Sequence, residues 1–275
     1  MTNLSEFTFL SSDGKTQLHG MLWEPEGVAV RAVLQICHGV AEHIARYDGF
    51  ARALNEQGIV VAGHDHLGHG KSLPEGGTPV YFGDGNTWNT VVDDIYVLHQ
   101  RLKQRYPDVP LCIMGHSMGS FLTRTYLIRY PGTVKAAVIM GTGWQPRAAI
   151  TGGLALANAI AAVSGENATS ELVTELAFGS YNKLFAPNRT KVDWLSADES
   201  NVDDYIADPL CGADATVGLF RQMLHGIRFN QRQSHLRQMD REMPVLFVAG
   251  DKDPVGNCGK GVRQTYDAFR AAGMR

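Results

Sequence analysis

Two hydrophobic periods divide this chain. Near the N-terminus, Phe7 to Leu10 and Gln17 to Trp23 are short strand-like runs joined by Ser-Ser-Asp-Gly, which predicts a hairpin. From Ala32 onward, apolar runs of about five to seven residues alternate with helical stretches, the pattern of parallel strands linked by crossover helices. The runs Ala32 to Cys37, Ile59 to Ala62, Leu111 to Met114, Ala136 to Met140 and Val245 to Ala249 predict core strands. Tyr47 to Gln57, Trp88 to Arg105 and Ser117 to Tyr130 carry helical periodicity. The last two stop before Tyr106-Pro107 and Tyr130-Pro131, where the proline cannot continue a helix.

One interval breaks the alternation. Roughly 100 residues, from Gly143 to Met243, separate two core strands, far more than a crossover needs. Thr151 to Val163 and Ser170 to Leu184 read as helical within it. The expected organisation is a first part of an α/β core (1–142), an inserted helical cap (143–243) and a second part of the core (244–275). The cap would lie over the C-terminal edge of the sheet, where open α/β folds place their sites.

Composition narrows the class. At 275 residues and 44% hydrophobic the chain can bury a large core, and a net charge of −3 argues against a nucleic-acid surface. Cys37, Cys112, Cys211 and Cys258 lie far apart with no C-x-x-C pair, as expected of a reduced, cytoplasmic protein. The first residues show no signal-peptide pattern, and no run reaches the roughly 18 uninterrupted apolar residues of a membrane span.

The strongest chemical signal is Gly115-His116-Ser117-Met118-Gly119, a G-x-S-x-G sequence entered from a buried strand and left by a helix. That context makes Ser117 the expected nucleophile, held in a strained turn above a helix N-terminus. An oxyanion hole needs two fixed backbone N–H donors. Met118, following the nucleophile, supplies one. Val40, in the His38-Gly39-Val40 loop after the Ala32 to Cys37 strand, is the candidate for the other. The acid should follow a later strand, where Gly250-Asp251-Lys252-Asp253-Pro254-Val255 stands. Asp253 ranks above Asp251 because it sits farther out, before a proline that stiffens the turn; either could instead be an Asx-turn residue.

Together these pieces resemble the monoacylglycerol lipase/lysophospholipase branch of the α/β-hydrolases. The likeness rests on His38-Gly39-Val40-Ala41-Glu42-His43 with Arg46-Tyr47, on Asp65-His66-Leu67-Gly68-His69-Gly70-Lys71-Ser72, and on the elbow. The resemblance implies an α/β-hydrolase fold: a mostly parallel sheet with an N-terminal antiparallel hairpin and a helical cap. It implies an oxyanion loop at Val40, Asp253 as the acid, a structural role for the Asp65 turn, and acyl esters as small-molecule substrates. No cofactor or metal is implied. The small apolar segment Gly152 to Val163 suits an acyl pocket, transient lipid contact, or ordinary helix packing.

The family's general base is a histidine after the final strand, and here no histidine follows His235. Loss of such a base costs about a millionfold in kcat. The expectation is a last strand and a histidine loop beyond Arg275, with Val245 to Ala249 otherwise left as an apolar sheet edge. His116 is expected to point away from the serine hydroxyl. The rival reading is a chain that binds acyl ligands without turning them over. His64, His66 and His69 also invite a zinc reading, but Gly68 stands where a binuclear zinc loop wants an aspartate, so a glycine-rich turn is the better account.

Overall fold

The computed structural model describes residues 1–275. Seven strands form one sheet: β1 (Thr2–Leu10), β2 (Gln17–Pro25), β3 (Ala32–Cys37), β4 (Ile59–His64), β5 (Leu111–His116), β6 (Ala136–Met140) and β7 (Val245–Val248). Their spatial order is β1-β2-β4-β3-β5-β6-β7. The hairpin β1–β2 is antiparallel and joins β4 antiparallel, and every other pairing is parallel. The hairpin and all five core strands therefore lie where the hydrophobic runs put them.

Period-two alternation sorts the strand side chains between two layers. In β3, Leu34 and Ile36 pack with Trp23, Val61 and Ala51 of α1 (Asp48–Asn55) on one face. Val33 and Cys37 join the larger core with α2 (Thr87–Arg105) and α3 (Met118–Arg129). Because β3 has β4 on one side and β5 on the other, the chain reverses its winding direction between β3 and β5. Loops leaving the C-terminal ends of those two strands diverge there and leave a crevice. Both candidate catalytic loops, His38–Val40 and Ser117, start from these ends.

Between β6 and β7 the chain adds no strand to the sheet. It forms α4 (Arg147–Ser164), α5 (Glu171–Phe178), α6 (Glu199–Ala207), α7 (Val217–Asn230) and α8 (Gln233–Leu236). The stretch Ser170 to Leu184 is not one helix: α5 ends at Gly179, and a 3₁₀ turn follows at Asn182–Phe185. Gly179-Ser180 explains the break, since glycine costs about 1 kcal/mol in a helix interior. The sequence reading did not predict α6 and α7, whose starts are marked by side-chain caps. Asp198 accepts from Ser200 N–H, and the Thr216 hydroxyl accepts from Leu219 N–H. α7 packs against α3 and α4 and buries Leu219, Phe220 and Ile227, with Asn230 bonded to Thr125 and to the Phe121 carbonyl.

β7 pairs only with β6, and its outer side carries Leu246 at 58% exposure and Val248 at 38%. It leads through the Asp253 loop into α9 (Lys260–Ala271). Gly273, with φ +99, closes that helix as Met274 N–H returns to the Phe269 carbonyl.

Candidate active site

Ser117 joins β5 to α3 with φ 52 and ψ −120, a conformation costly for a side chain with a Cβ. The flanking glycines make it attainable. A Cβ on Gly115 would collide with the Gly119 carbonyl, and one on Gly119 would strike the Cys37 carbonyl at the end of β3. Met118 is the first residue of α3, so its N–H has no acceptor within the helix.

The candidate oxyanion loop is built around a buried carboxylate. Gly39 N–H donates to Glu42 Oε1 at 2.5 Å, which occupies the Gly39 amide and leaves the next one, Val40, without a backbone acceptor. Glu42 also accepts from Arg46 Nη1 at 2.9 Å, Tyr47 Oη at 3.1 Å and His116 Nδ1 at 3.1 Å. Burial alone would raise its pKa. The bond to His116 and the charges of His116 and Arg46 outweigh that and hold it far below the carboxylate range. His38 is fully buried and accepts His66 N–H on Nε2 at 3.0 Å. Its proton therefore sits on Nδ1, donated to the Gly39 carbonyl at 2.8 Å.

Asp253 is half-buried, whereas Asp251 is exposed. Asp253 Oδ1 accepts from Val255 N–H at 2.9 Å, and burial raises its pKa. Its other oxygen lies beside Gly141, at the end of β6, as does the ring of His116. His116 turns toward the two carboxylates, Glu42 and Asp253. Ser117 Oγ makes no hydrogen bond to a histidine nitrogen.

The Asp65 turn braces the oxyanion loop from behind. Asp65 accepts from Ile44 N–H at 2.8 Å, Lys71 N–H at 2.9 Å and His19 Nδ1 at 2.9 Å, while Ser72 Oγ donates to its carbonyl. His64, His66 and His69 are fully buried and pack as rings, with His66 4.2 Å from His38 and 5.0 Å from His64 between centroids. Burial lowers the pKa of His64 and His69 to about 3 and that of His66 well below its ordinary value.

A second cluster escaped the sequence reading because its members are far apart in the chain. His43 Nε2 lies 2.7 Å from Asp208 Oδ2, and Cys211 completes a group whose ligand atoms fall within 4.8 Å of one another. The donor types would suit a divalent ion, yet imidazole and thiol are both already engaged by the Asp208 carboxylate. With Gly212 N–H donating to the Ala41 carbonyl at 3.0 Å, the cluster ties the α6–α7 connection to the oxyanion loop.

Comparison with known proteins gives the family. The family model described as serine aminopeptidase, S33, matches residues 28–274. The chain belongs to that family. It is 30% identical over 251 residues to a monoacylglycerol lipase of Mycolicibacterium smegmatis, covering 90% of this chain and 79% of that one. It is 29% identical over 250 residues to the monoglyceride lipase of Mus musculus, covering 89% and 72%. Among solved structures, a thermostable carboxyl esterase from Bacillus coagulans superposes with a TM-score of 0.90 at 26% identity, covering 100% of this chain and 88% of the other. A monoglyceride lipase from Saccharomyces cerevisiae, at 14% identity, shares the fold with a TM-score of 0.73 over 98% of this chain and 82% of its own. The chain is thus an α/β-hydrolase of the monoacylglycerol lipase-like group and a carboxylic ester hydrolase. These relatives favour the enzymatic reading over the non-catalytic one.

Proposed function

We propose that Ser117 attacks the carbonyl carbon of an acyl ester, with the Val40 and Met118 amides holding the oxyanion. The observation that carries this reading is the elbow: a serine forced to positive φ between two amides that have no backbone acceptor. The new C–O bond to Ser117 forms as the alcohol departs with a proton, and water then releases the acid. Asp253 would orient the proton-carrying imidazole. Monoacylglycerols or similar single-chain esters are the proposed substrates, by likeness to the lipases above. The exposed helices between β6 and α7 would form the cap. That stretch exposes Val163, Leu172, Leu176, Leu184 and Ile206, which suits contact with an acyl chain or a lipid aggregate. By length and composition alone α4 could also cross a membrane.

A fluorophosphonate probe tests the nucleophile. One adduct per chain, absent in Ser117→Ala, is expected; an adduct that survives Ser117→Ala overturns the assignment. Added imidazole tests the base. If it accelerates acylation manyfold, these 275 residues do not place a base beside Ser117. If acylation is already fast without it, a histidine of this chain serves, and His116 is the first to replace.

A further inference from the structure

Glu42 is buried, at 4% exposure, yet no step of the proposed chemistry uses it. Its position is unusual in what converges there. A Cβ placed on Gly39 would lie 2.6 Å from Glu42 Oε1, 3.2 Å from Ser117 Cβ and 3.4 Å from His116 Nδ1. Oxyanion loop, nucleophile and the residue before it thus meet within one van der Waals shell, with the carboxylate at its centre. The same oxygen accepts the Gly39 amide, the Tyr47 hydroxyl and His116 Nδ1, while Oε2 holds Arg46. An ionised carboxylate only accepts, so His116 carries a proton on Nδ1. The opposite edge of the His116 ring and Asp253 Oδ2 both lie about the Cβ position of Gly141, at 3.6 Å for Nε2 and 3.5 Å for Oδ2.

We infer that Glu42 is the positioning residue of this active site: its carboxylate fixes the amide of the His38–Gly39 peptide, which sets the direction of the following Val40 N–H, and it holds the His116 ring whose far edge faces the Asp253 loop. The inference rests on the proposed roles of Ser117 and Val40. Rotation of the Gly39 amide would swing the following N–H off the oxyanion, and a misplacement of about 1 Å costs on the order of a hundredfold in rate. Glutamine at this position keeps the shape but loses the charge: its one carbonyl oxygen has two lone pairs for the three donors now on Oε1, and its NH2 would face the Arg46 guanidinium as a second donor. The groups facing His116 are Glu42 and Asp253, which favour its protonated form, and Arg46, which opposes it; burial also opposes it, and the net direction is upward.

The test is Glu42→Gln, read in two ways. Hydrolysis of a soluble acyl ester should lose about 10- to 100-fold in kcat with KM changed less than threefold. NMR titration of the His116 imidazole should show its pKa falling by about one unit or more. A kcat within twofold of the parent overturns the inference, and so does an unmoved His116 titration. Where Glu42→Gln does not fold, His116→Gln replaces it in the kinetic assay, and parent-like kcat there also overturns it. The His116 titration needs no turnover. A parent chain that fails to label at Ser117 therefore sinks the proposed function without deciding the Glu42–His116 link.

Discussion

The two flanks of Ser117 are built on different principles. On the oxyanion side, β3 lies mid-sheet between β4 and β5, and the loop it emits closes over buried charge: Glu42 with four donors and Asp65 with three. On the acid side, β7 is an edge strand of four residues, and Asp253 has one backbone donor from its own turn. The first flank is held by groups whose loss would strand other buried polar atoms. The second is held by a short turn, and its carboxylate sits where burial disfavours its charge. In the proposed reaction the oxyanion amides must be in place before the charge develops, so rigidity belongs there.

Stability measurements should separate the flanks most sharply. Glu42→Ala leaves Arg46, His116 and the Gly39 amide without their partner, and urea unfolding should register a loss of about 3–5 kcal/mol. Asp253→Asn should cost less than about 1 kcal/mol and could raise Tm, because it removes a carboxylate whose ionised form the fold disfavours. Equal losses in the two variants would dissolve the contrast.

Acid should weaken the oxyanion flank next. His38, His64, His66 and His69 have folded pKa values below the ordinary 6.5, so below about that pH the unfolded chain binds protons that the folded chain refuses. Their contribution is whole above pH 6.5 and is lost as pH falls. His19 and His116, both raised, act in the opposite sense, with contributions present below about pH 6.5 and lost as pH climbs through their folded values. His99 and His225, which burial also lowers, add to the four, so six lowered rings stand against the two raised ones. Unfolding free energy should therefore fall by about 3 kcal/mol between pH 7 and pH 5.5, at up to roughly 1.4 kcal/mol per pH unit per histidine. A flat profile over that range would mean the four rings are hydrated or protonated in the fold.

The smallest effect belongs to the edge. Leu246→Lys should change unfolding free energy by no more than about 0.5 kcal/mol while reducing self-association in sedimentation velocity, since a lysine blunts an open strand. A loss above 2 kcal/mol would show that Leu246 is packed, and that β7 is as firmly held as β3.

Much of this molecule was legible before folding. Continuous apolar runs located every core strand and helical periodicity the crossover helices, because a strand buried on both faces is apolar nearly throughout. Gly115-His116-Ser117-Met118-Gly119 announced its turn, since only residues without a Cβ tolerate the approach of β3 and α3. The helices α6 and α7 were missed because their apolar faces match partners distant in sequence.

From sequence alone came the fold class, the elbow and the candidates Val40, Met118 and Asp253, each set by local chemistry: spacing, propensity and backbone freedom. Only the tertiary structure decided which amide of the oxyanion loop is taken and which left free, that Asp251 faces water, and that His116 turns toward Glu42 and Asp253. It also decided that His43 meets Asp208 across 165 positions. Those are questions of which polar groups meet after burial. A linear pattern does not carry them, because the energy that settles them depends on distance in space and exclusion of water, not on separation along the chain.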